Sequence, residues 1–340
     1  MEYFLNGKKT EIIFQNEFEI AFPEKTNKVF LIDEKVYQLF EKELDNKIDG
    51  ATFFIYASEE NKSIRTIEQI YLFFQQNNVN RSTIIIGIGG GITTDIAALA
   101  ASTYKRGCRL ILIPTTFLGM IDAAIGGKTA VNFKGIKNSI GTFYPAETVY
   151  IIPEFLKKLP EKEKKNGLIE CIKIALIKPS KLYDILILYK GKITSEDLKL
   201  AIDLKLTICG KDLEDKGERQ YLNLGHTFAH ILESISNYEI SHGTAVSIGL
   251  RAAAKLSLQS GYISEKIYKK IILILDFFHL PDKIPKEYKK QIKENGLERL
   301  LQDKKATAKI NVVLFNGFQS VYIKEIEKSE KILKILDSFY

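Results

Sequence analysis

Cysteine and histidine are both scarce, three and four residues respectively in a chain of 340. Cys108, Cys171 and Cys209 lie far apart and form no CxxC pair. That spacing fits reduced thiols in a cytoplasm better than a disulfide framework. No stretch approaches the about 18 uninterrupted apolar residues that a membrane helix needs. The opening segment MEYFLNGKKTEIIF lacks the apolar run of a signal peptide. The expectation is a soluble, cytoplasmic protein with no membrane partner. Zinc-finger spacing, aromatic-basic interleaving, internal repeats and low-complexity linkers are absent as well. The net charge of +7 therefore does not by itself mean nucleic acid. Much of the lysine sits in mixed runs, EKEKK (161–165) and KEYKKQIKEN (286–295), which read as solvated helix faces. A small anionic substrate is compatible with the same charge.

The pattern that is present changes partway along the chain. KVFLID (28–33), TFFIYA (52–57), TIIIGIG (83–89), RLILIP (109–114) and TVYII (148–152) are short β-branched runs that read as strands. Between the early ones lie VYQLFEKEL and RTIEQIYLFFQQNN, with apolar residues recurring at three and four. Alternation of this kind predicts an α/β fold: a Rossmann-like parallel sheet with helical crossovers. From about residue 154 the period is mainly helical, with INVVLFNG as a late candidate strand. The change of period divides the chain into an α/β domain, 1–153, and a mainly helical domain, 154–340.

Two glycine-rich stretches interrupt the first domain. In TIIIGIGGGITTDIAALAASTY a strand runs into Gly89-Gly90-Gly91 and then into a helix starting near Thr93 or Thr94. Such a turn lets backbone N–H groups and the positive end of a helix dipole approach a phosphate. It is equally a tight strand-to-helix turn capped by Thr94 or Asp95. The dinucleotide fingerprint is incomplete, because Ile92 stands where a third glycine is required. Asp33 and Glu59, at or just past strand ends, are placed to meet ribose hydroxyls. The second stretch, residues 114–141, carries Thr115, Thr116, Asp122, Gly126-Gly127-Lys128 and Lys137-Asn138. Gly126-Gly127-Lys128 is too short for a P-loop, and the stretch reads either as a plain surface loop or as a loop whose two lysines and asparagine cradle an anion.

Three of the four histidines, His226, His230 and His242, fall between residues 226 and 242. Four residues apart on a helix, His226 and His230 share a face. His242 opens HGTAVSIGL, another helix-like segment. A borderline cation such as zinc takes three or four nitrogen or oxygen ligands and keeps an open position where it is catalytic. Glu170, in the apolar helix NGLIECIKIALI, is the candidate carboxylate, with Lys173 one turn on as its partner. Not all three histidines need bind metal; one can face substrate as an acid, base or anion contact.

Taken in order, GGGxxxD (89–95), KRG (105–107), PTT (114–116), D-x5-K with GGKT (122–129), KNxIG (137–141), ExxK (170–173), R-x3-N-x2-H-x3-H (219–230), HGxAV (242–246) and DKK (303–305) resemble the 3-dehydroquinate synthases of the sugar-phosphate cyclase family. The resemblance runs from about Asp33 to Lys305. It implies NAD⁺ bound by Asp33, Glu59, Lys62, Gly90, Gly91, Asp95, Thr115, Thr116, Asp122 and Lys137. It implies a divalent metal, zinc most often and cobalt as the alternative, held by Glu170, His226 and His242, with His230 a phosphate contact. The implied reaction is that of a lyase of the shikimate pathway, in which 3-deoxy-D-arabino-heptulosonate 7-phosphate closes to 3-dehydroquinate with loss of phosphate. NAD⁺ is used and regenerated within each turnover. Lys128, Asn138, Asn223, His230 and Lys304 of the DKK pair would hold the phosphate. Arg219 and Lys205 would grip the carboxylate, Lys173 would attend the metal carboxylate, and Arg106 would reach the site of a second subunit in a homodimer. Thr94, Lys35, Thr244 and Lys158 stand where the family more often has glycine, asparagine, glutamate and threonine. The rival readings are a metal-dependent polyol dehydrogenase, a sister cyclase acting on a substrate without a carboxylate, and a non-catalytic relative.

Overall fold

The computed structural model describes residues 1–5, 8–15, 18, 22, 26–188, 194–209, 212, 215–302, 309–327 and 330–340. The chain divides into two compact units: Met1–Gly167 with Lys205–Glu214, and Leu168–Leu204 with Asp215–Tyr340. The helices Glu161–Ile177 and Ser195–Cys209 each contribute residues to both. The change of hydrophobic period near residue 154 and the division between compact units are thus separate features of the chain.

The first unit is built on a seven-stranded sheet. Its strands are β1 (Glu2–Leu5), β2 (Lys8–Phe14), β3 (Lys28–Asp33), β4 (Ala51–Ile55), β5 (Ile84–Gly89), β6 (Arg109–Pro114) and, after the ribbon described below, β9 (Thr148–Ile151). Their order is β1-β2-β9-β6-β5-β3-β4, parallel throughout except for β1. Every residue of β3 and β5 is buried. Unbroken apolar runs such as FLI and III suit this position, because a central parallel strand is covered on both faces. The five expected strands are all present. β1 and β2 were not expected; their polar residues, Lys8, Lys9 and Glu11, mask the period in a strand pair at the sheet edge.

A second difference lies in residues 128–143, read from sequence as a loop. They form an antiparallel ribbon of β7 (Lys128–Phe133) and β8 (Ile136–Phe143). Lys134 and Gly135 join the strands, both with positive φ, +48° and +80°. Two such residues match the twist of a hairpin. The ribbon hid from the sequence because its glycines and lysines weaken the apolar alternation.

The second unit is mainly helical, with one antiparallel pair, β10 (Lys309–Gly317) and β11 (Ser320–Glu327). Helices His226–Ile235 and His242–Gln259 form its centre, and along the second of these every residue from Ala245 to Ala254 is buried. Among the described residues no helix is long and apolar enough to cross a membrane.

Candidate functional site

The carboxyl ends of the parallel strands bring the first group of candidate residues together. From β3 the chain moves outward to β4, then returns to the opposite side of β3 to make β5. At such a reversal the loops leave the sheet in opposite directions and open a crevice beyond the strand ends. Asp33 ends β3 and Gly89 ends β5. The next helix, Gly91–Thr103, starts two residues earlier than the sequence suggested. Its N-cap is Gly90, and no side chain caps it. The expected caps act elsewhere: Thr94 Oγ1 donates back to Gly91 O at 3.1 Å, and Asp95 Oδ2 accepts from Lys62 Nζ at 2.6 Å. A Cβ on Gly89 would lie 2.6 Å from Thr93 Cβ, so only glycine lets this turn close so tightly.

Beside the turn, the hydroxyls of Thr93 and Thr115 are buried with no hydrogen-bond partner. Leaving such a group unpaired costs about 1–3 kcal/mol. An uncapped helix start with orphaned hydroxyls beside it fits a phosphate-bearing ligand and fits a purely structural turn poorly. Thr115 N–H donates to Gly89 O at 2.9 Å, and Thr116 Oγ1 accepts from Gly119 N at 3.0 Å. Asp33 caps the helix Glu34–Leu39, accepting from Lys35 N at 3.0 Å and Val36 N at 3.4 Å. Burial raises its carboxyl above the usual range, against the pull of those amides. Desolvation likewise holds Asp95 above its ordinary value although Lys62 is adjacent.

Lys62 also donates to Asn138 Oδ1 at 2.6 Å, which ties the β8 strand to the helix Gly91–Thr103. Glu59 pairs with Lys137 at 3.2 Å and accepts from Asn132 Nδ2 at 2.9 Å. Asn132, which the sequence reading missed, accepts from Asn138 N at 3.0 Å through its Oδ1. One amide therefore aligns Glu59 and Asn138 together. Lys205 Nζ donates to the backbone oxygen of Asp122 at 2.6 Å and pairs with its carboxylate. Lys128, first in β7, is exposed, as is Arg106. Arg106 has φ +66° beside Lys105 at +51°, an uncommon conformation for two successive non-glycine residues.

The second group lies in the other unit. Glu170 comes from the helix Glu161–Ile177, His226 is the first residue of its helix, and His242 is the first residue of the next. One ligand atom from each lies within 4.8 Å of the other two. Glu170 Oε1 stands 3.8 Å from His226 Nε2 and 3.5 Å from His242 Nε2, while Lys173 pairs with Oε2. Two glycines set the spacing of the histidine helices. Gly225 has φ +80°, and a Cβ on Gly249 would fall 2.1 Å from its oxygen, so the backbones nearly touch beside His226.

Both imidazoles turn Nδ1 to an acceptor: Leu224 O at 3.3 Å for His226 and Glu233 Oε1 at 3.3 Å for His242. A neutral ring with its proton on Nδ1 presents a lone pair on Nε2. Both Nε2 atoms thus face the Glu170 carboxylate, which is the donor set of a three-residue zinc-type site, one ligand short of tetrahedral. The residues present fit a divalent cation. In the protein without metal, the two rings are driven apart. Burial, then the Lys173 charge, lowers His226 to about 3. Burial lowers His242 too, but hydrogen bonds to Glu170 and Glu233 outweigh it and carry it up to about 10.

His230 is exposed, its ring 5.6 Å from that of His226 and edge-on to it, and belongs to the solvent side of the same helix. Arg219 is buried in the short helical turn Glu218–Asn223, which Asn223 ends half-buried. Lys304 lies outside the described residues. Glu233 was missed from sequence. Its signal was an acid two turns beyond His226, flanked by Ile231, Leu232 and Ile235.

A reversing parallel sheet with a glycine turn, joined in one chain to a carboxylate-and-two-imidazole cluster, defines a metal- and nucleotide-using enzyme of the cyclase and dehydrogenase kind. Solved structures with this fold include 2-deoxy-scyllo-inosose synthase complexed with carbaglucose-6-phosphate, NAD⁺ and Co²⁺ (TM-score 0.87, 21% identity, 100% of this chain and 99% of that one). Another is 2-epi-5-epi-valiolone synthase from Streptomyces hygroscopicus subsp. jinggangensis 5008 with NAD⁺ and Zn²⁺ bound (TM-score 0.81, 25% identity, 97% and 96%). The family descriptions 3-dehydroquinate synthase N-terminal and 3-dehydroquinate synthase C-terminal match residues 52–166 and 167–306. The 3-dehydroquinate synthase of Clostridium tetani (strain Massachusetts / E88) is 36% identical over 94% of this chain and 88% of its own length. The chain belongs to the 3-dehydroquinate synthase family.

Proposed function

We propose that this chain converts 3-deoxy-D-arabino-heptulosonate 7-phosphate to 3-dehydroquinate and phosphate in the shikimate pathway, as a lyase that uses NAD⁺ and a divalent metal. The observation that carries the reading is the convergence of Glu170, His226 and His242 on one point in a chain of this family. NAD⁺ would take a hydride from one substrate carbon and return it, and zinc or cobalt would polarise the oxygen on that carbon.

The chain's own groups do the rest. The start of the helix Gly91–Thr103 and the Thr93 and Thr115 hydroxyls receive the dinucleotide phosphates, and Asp33, Glu59, Lys62, Asp95, Thr116, Asp122 and Lys137 surround the remainder. Arg219 offers a planar fork to the substrate carboxylate, and Lys205 adds a point charge. Lys128, Asn138, Asn223, His230 and Lys304 hold the phosphate, so that the leaving oxygen and the acidified C–H keep one geometry through elimination. Lys173 holds Glu170 as a carboxylate and leaves Oε1 to the metal. Arg106 reaches a neighbouring copy in a homodimer. The anionic sugar phosphate explains why cations dominate this set, and nucleic acid has no place in it.

The test is incubation with the heptulosonate phosphate and a catalytic amount of NAD⁺, following phosphate and the cyclic product. Chelation should stop phosphate release, and zinc or cobalt should restore it. Full activity after exhaustive metal removal defeats the metal role. Net NADH from polyols, with no turnover of the heptulosonate phosphate, places the chain with the dehydrogenases instead. Turnover of a sugar phosphate without a carboxylate, in preference to the heptulosonate, makes it a sister cyclase.

A further inference from the structure

We infer that Glu233 is a positioning residue for the metal centre: it accepts the Nδ1 proton of His242 and so locks that ring with Nε2 toward Glu170. The inference rests on the metal reading above and adds to it a residue that the ligand set does not include. Three features of the site require such a lock.

The first is burial. Among the three ligand side chains, Glu170 is 0% exposed, His226 13% and His242 28%. Packing thus holds the first two in place, whereas the His242 ring borders solvent on one side. A ring so placed can turn about its Cβ–Cγ bond and withdraw Nε2 unless something grips Nδ1. His226 has a main-chain grip, Leu224 O, two residues before it in the chain. His242 receives its grip from a different helix. It opens the helix His242–Gln259, where Ser241 caps Thr244 N and makes no bond to the ring.

The second is shared rigidity. Glu233 lies on the helix His226–Ile235, seven residues after His226 and therefore on the same face. One rigid rod supplies a ligand at its first residue and the support of the other ligand two turns later. The side chain of Glu233 is 4% exposed, and its helix packs closely on that of His242 at the Gly225–Gly249 contact. A displacement of the rod moves both imidazoles together, which preserves their separation.

The third is charge. Glu170 and Glu233 are both buried carboxylates, and Lys173 is the ammonium paired with Glu170. With the His242 ring neutral, as a metal ligand must be, these three groups leave one excess negative charge in a low-dielectric interior. A divalent cation reverses that imbalance, so Glu233 favours metal electrostatically while it orients the ring.

The experiment measures cobalt affinity by chelator competition and the visible absorption of the cobalt-loaded protein, with the melting temperature of the metal-free protein as control. Glu233→Met keeps the volume and deletes the acceptor. It should weaken cobalt binding about 10–100-fold and alter the cobalt absorption. The metal-free melting temperature should fall, since the buried His242 ring loses the carboxylate it pairs with, so the cobalt readouts and not the melting temperature carry the test. Glu233→Gln keeps an acceptor oxygen and should restore part of the affinity. Wild-type affinity and absorption in Glu233→Met, with or without a lowered melting temperature, mean a merely structural role and overturn the inference. Should Glu233→Met not fold, wild-type affinity and absorption in Glu233→Gln overturn it equally. If the wild-type chain itself binds no cobalt, the metal reading fails, and this inference with it.

Discussion

The glycine turn of the first unit and the imidazole cluster of the second are built on opposite principles. The turn works by the absence of side chains: Gly89 and Gly90 bring backbone close to where a ligand would lie, and the helix start carries no cap. The cluster presents side chains, each supported by another group: Glu170 by Lys173, His226 by the main-chain Leu224 O, His242 by Glu233. The first kind is damaged by adding atoms; the second is damaged by removing ligand atoms, and also by added atoms where the two histidine helices touch.

The sharpest way to separate the two is His226→Ala. It removes a nitrogen ligand and should lower kcat by about 10³-fold, the equivalent of roughly 4 kcal/mol. NAD⁺ affinity should stay near wild type. Steady-state kinetics and dinucleotide titration check both halves, and a parallel loss of NAD⁺ binding would merge the two sites energetically.

Next in size is Gly249→Ala, where an added methyl breaks the side-chain site through the backbone. Its Cβ would sit 2.1 Å from Gly225 O, so the two histidine helices must separate. Overpacking of this kind costs about 1–3 kcal/mol. Thermal unfolding should show that loss together with weaker metal binding; a loss of stability with unchanged metal affinity would show that the helix contact does not set the ligand spacing.

Gly90→Ala tests the turn itself. The new Cβ would stand 3.1 Å from Thr116 Cγ2, so the turn or the Thr116 side chain must shift. NAD⁺ binding should weaken about tenfold, or roughly 1.4 kcal/mol, with metal content unchanged. Calorimetric titration decides it.

The last comparison concerns pH in the metal-free protein. His242, raised to about 10 from 6.5, holds a proton in the folded state that the unfolded chain has already released. Its contribution is full below pH 6.5 and is lost as pH climbs toward about 10. His226, lowered to about 3, does the reverse: between about 3 and 6.5 the unfolded chain binds the proton, so stability falls on acidification. Urea midpoints should therefore peak near pH 6.5 for this pair, and His242→Gln should remove the alkaline limb alone. An unchanged limb in that variant would mean that other groups govern it.

Much of the fold and part of the site are legible in the sequence. The five central strands are plain because each is a short β-branched run covered on both faces, where nothing interrupts the apolar pattern. The pairing of Glu170 with Lys173 is legible because it is local, three residues apart on a helix. The ribbon of β7 and β8 is not, since its strands are half exposed and carry polar residues that blur the apolar alternation. Asn132 escapes a sequence reading because an asparagine joining Glu59 to Asn138 acts across 73 and 6 residues of chain, and spacing carries no trace of it.

Composition, period and motif order by themselves determined the α/β character of the first unit, the helical character of the second, and which side chains are capable of holding a cation. Only the tertiary structure decided that Glu170, His226 and His242 meet, which nitrogen each ring presents, and that Glu233 stands behind one of them. The physical reason is range. Strand and helix preferences follow from neighbours within a few residues, whereas an imidazole's tautomer and direction depend on whichever acceptor the packing of separate helices places against it.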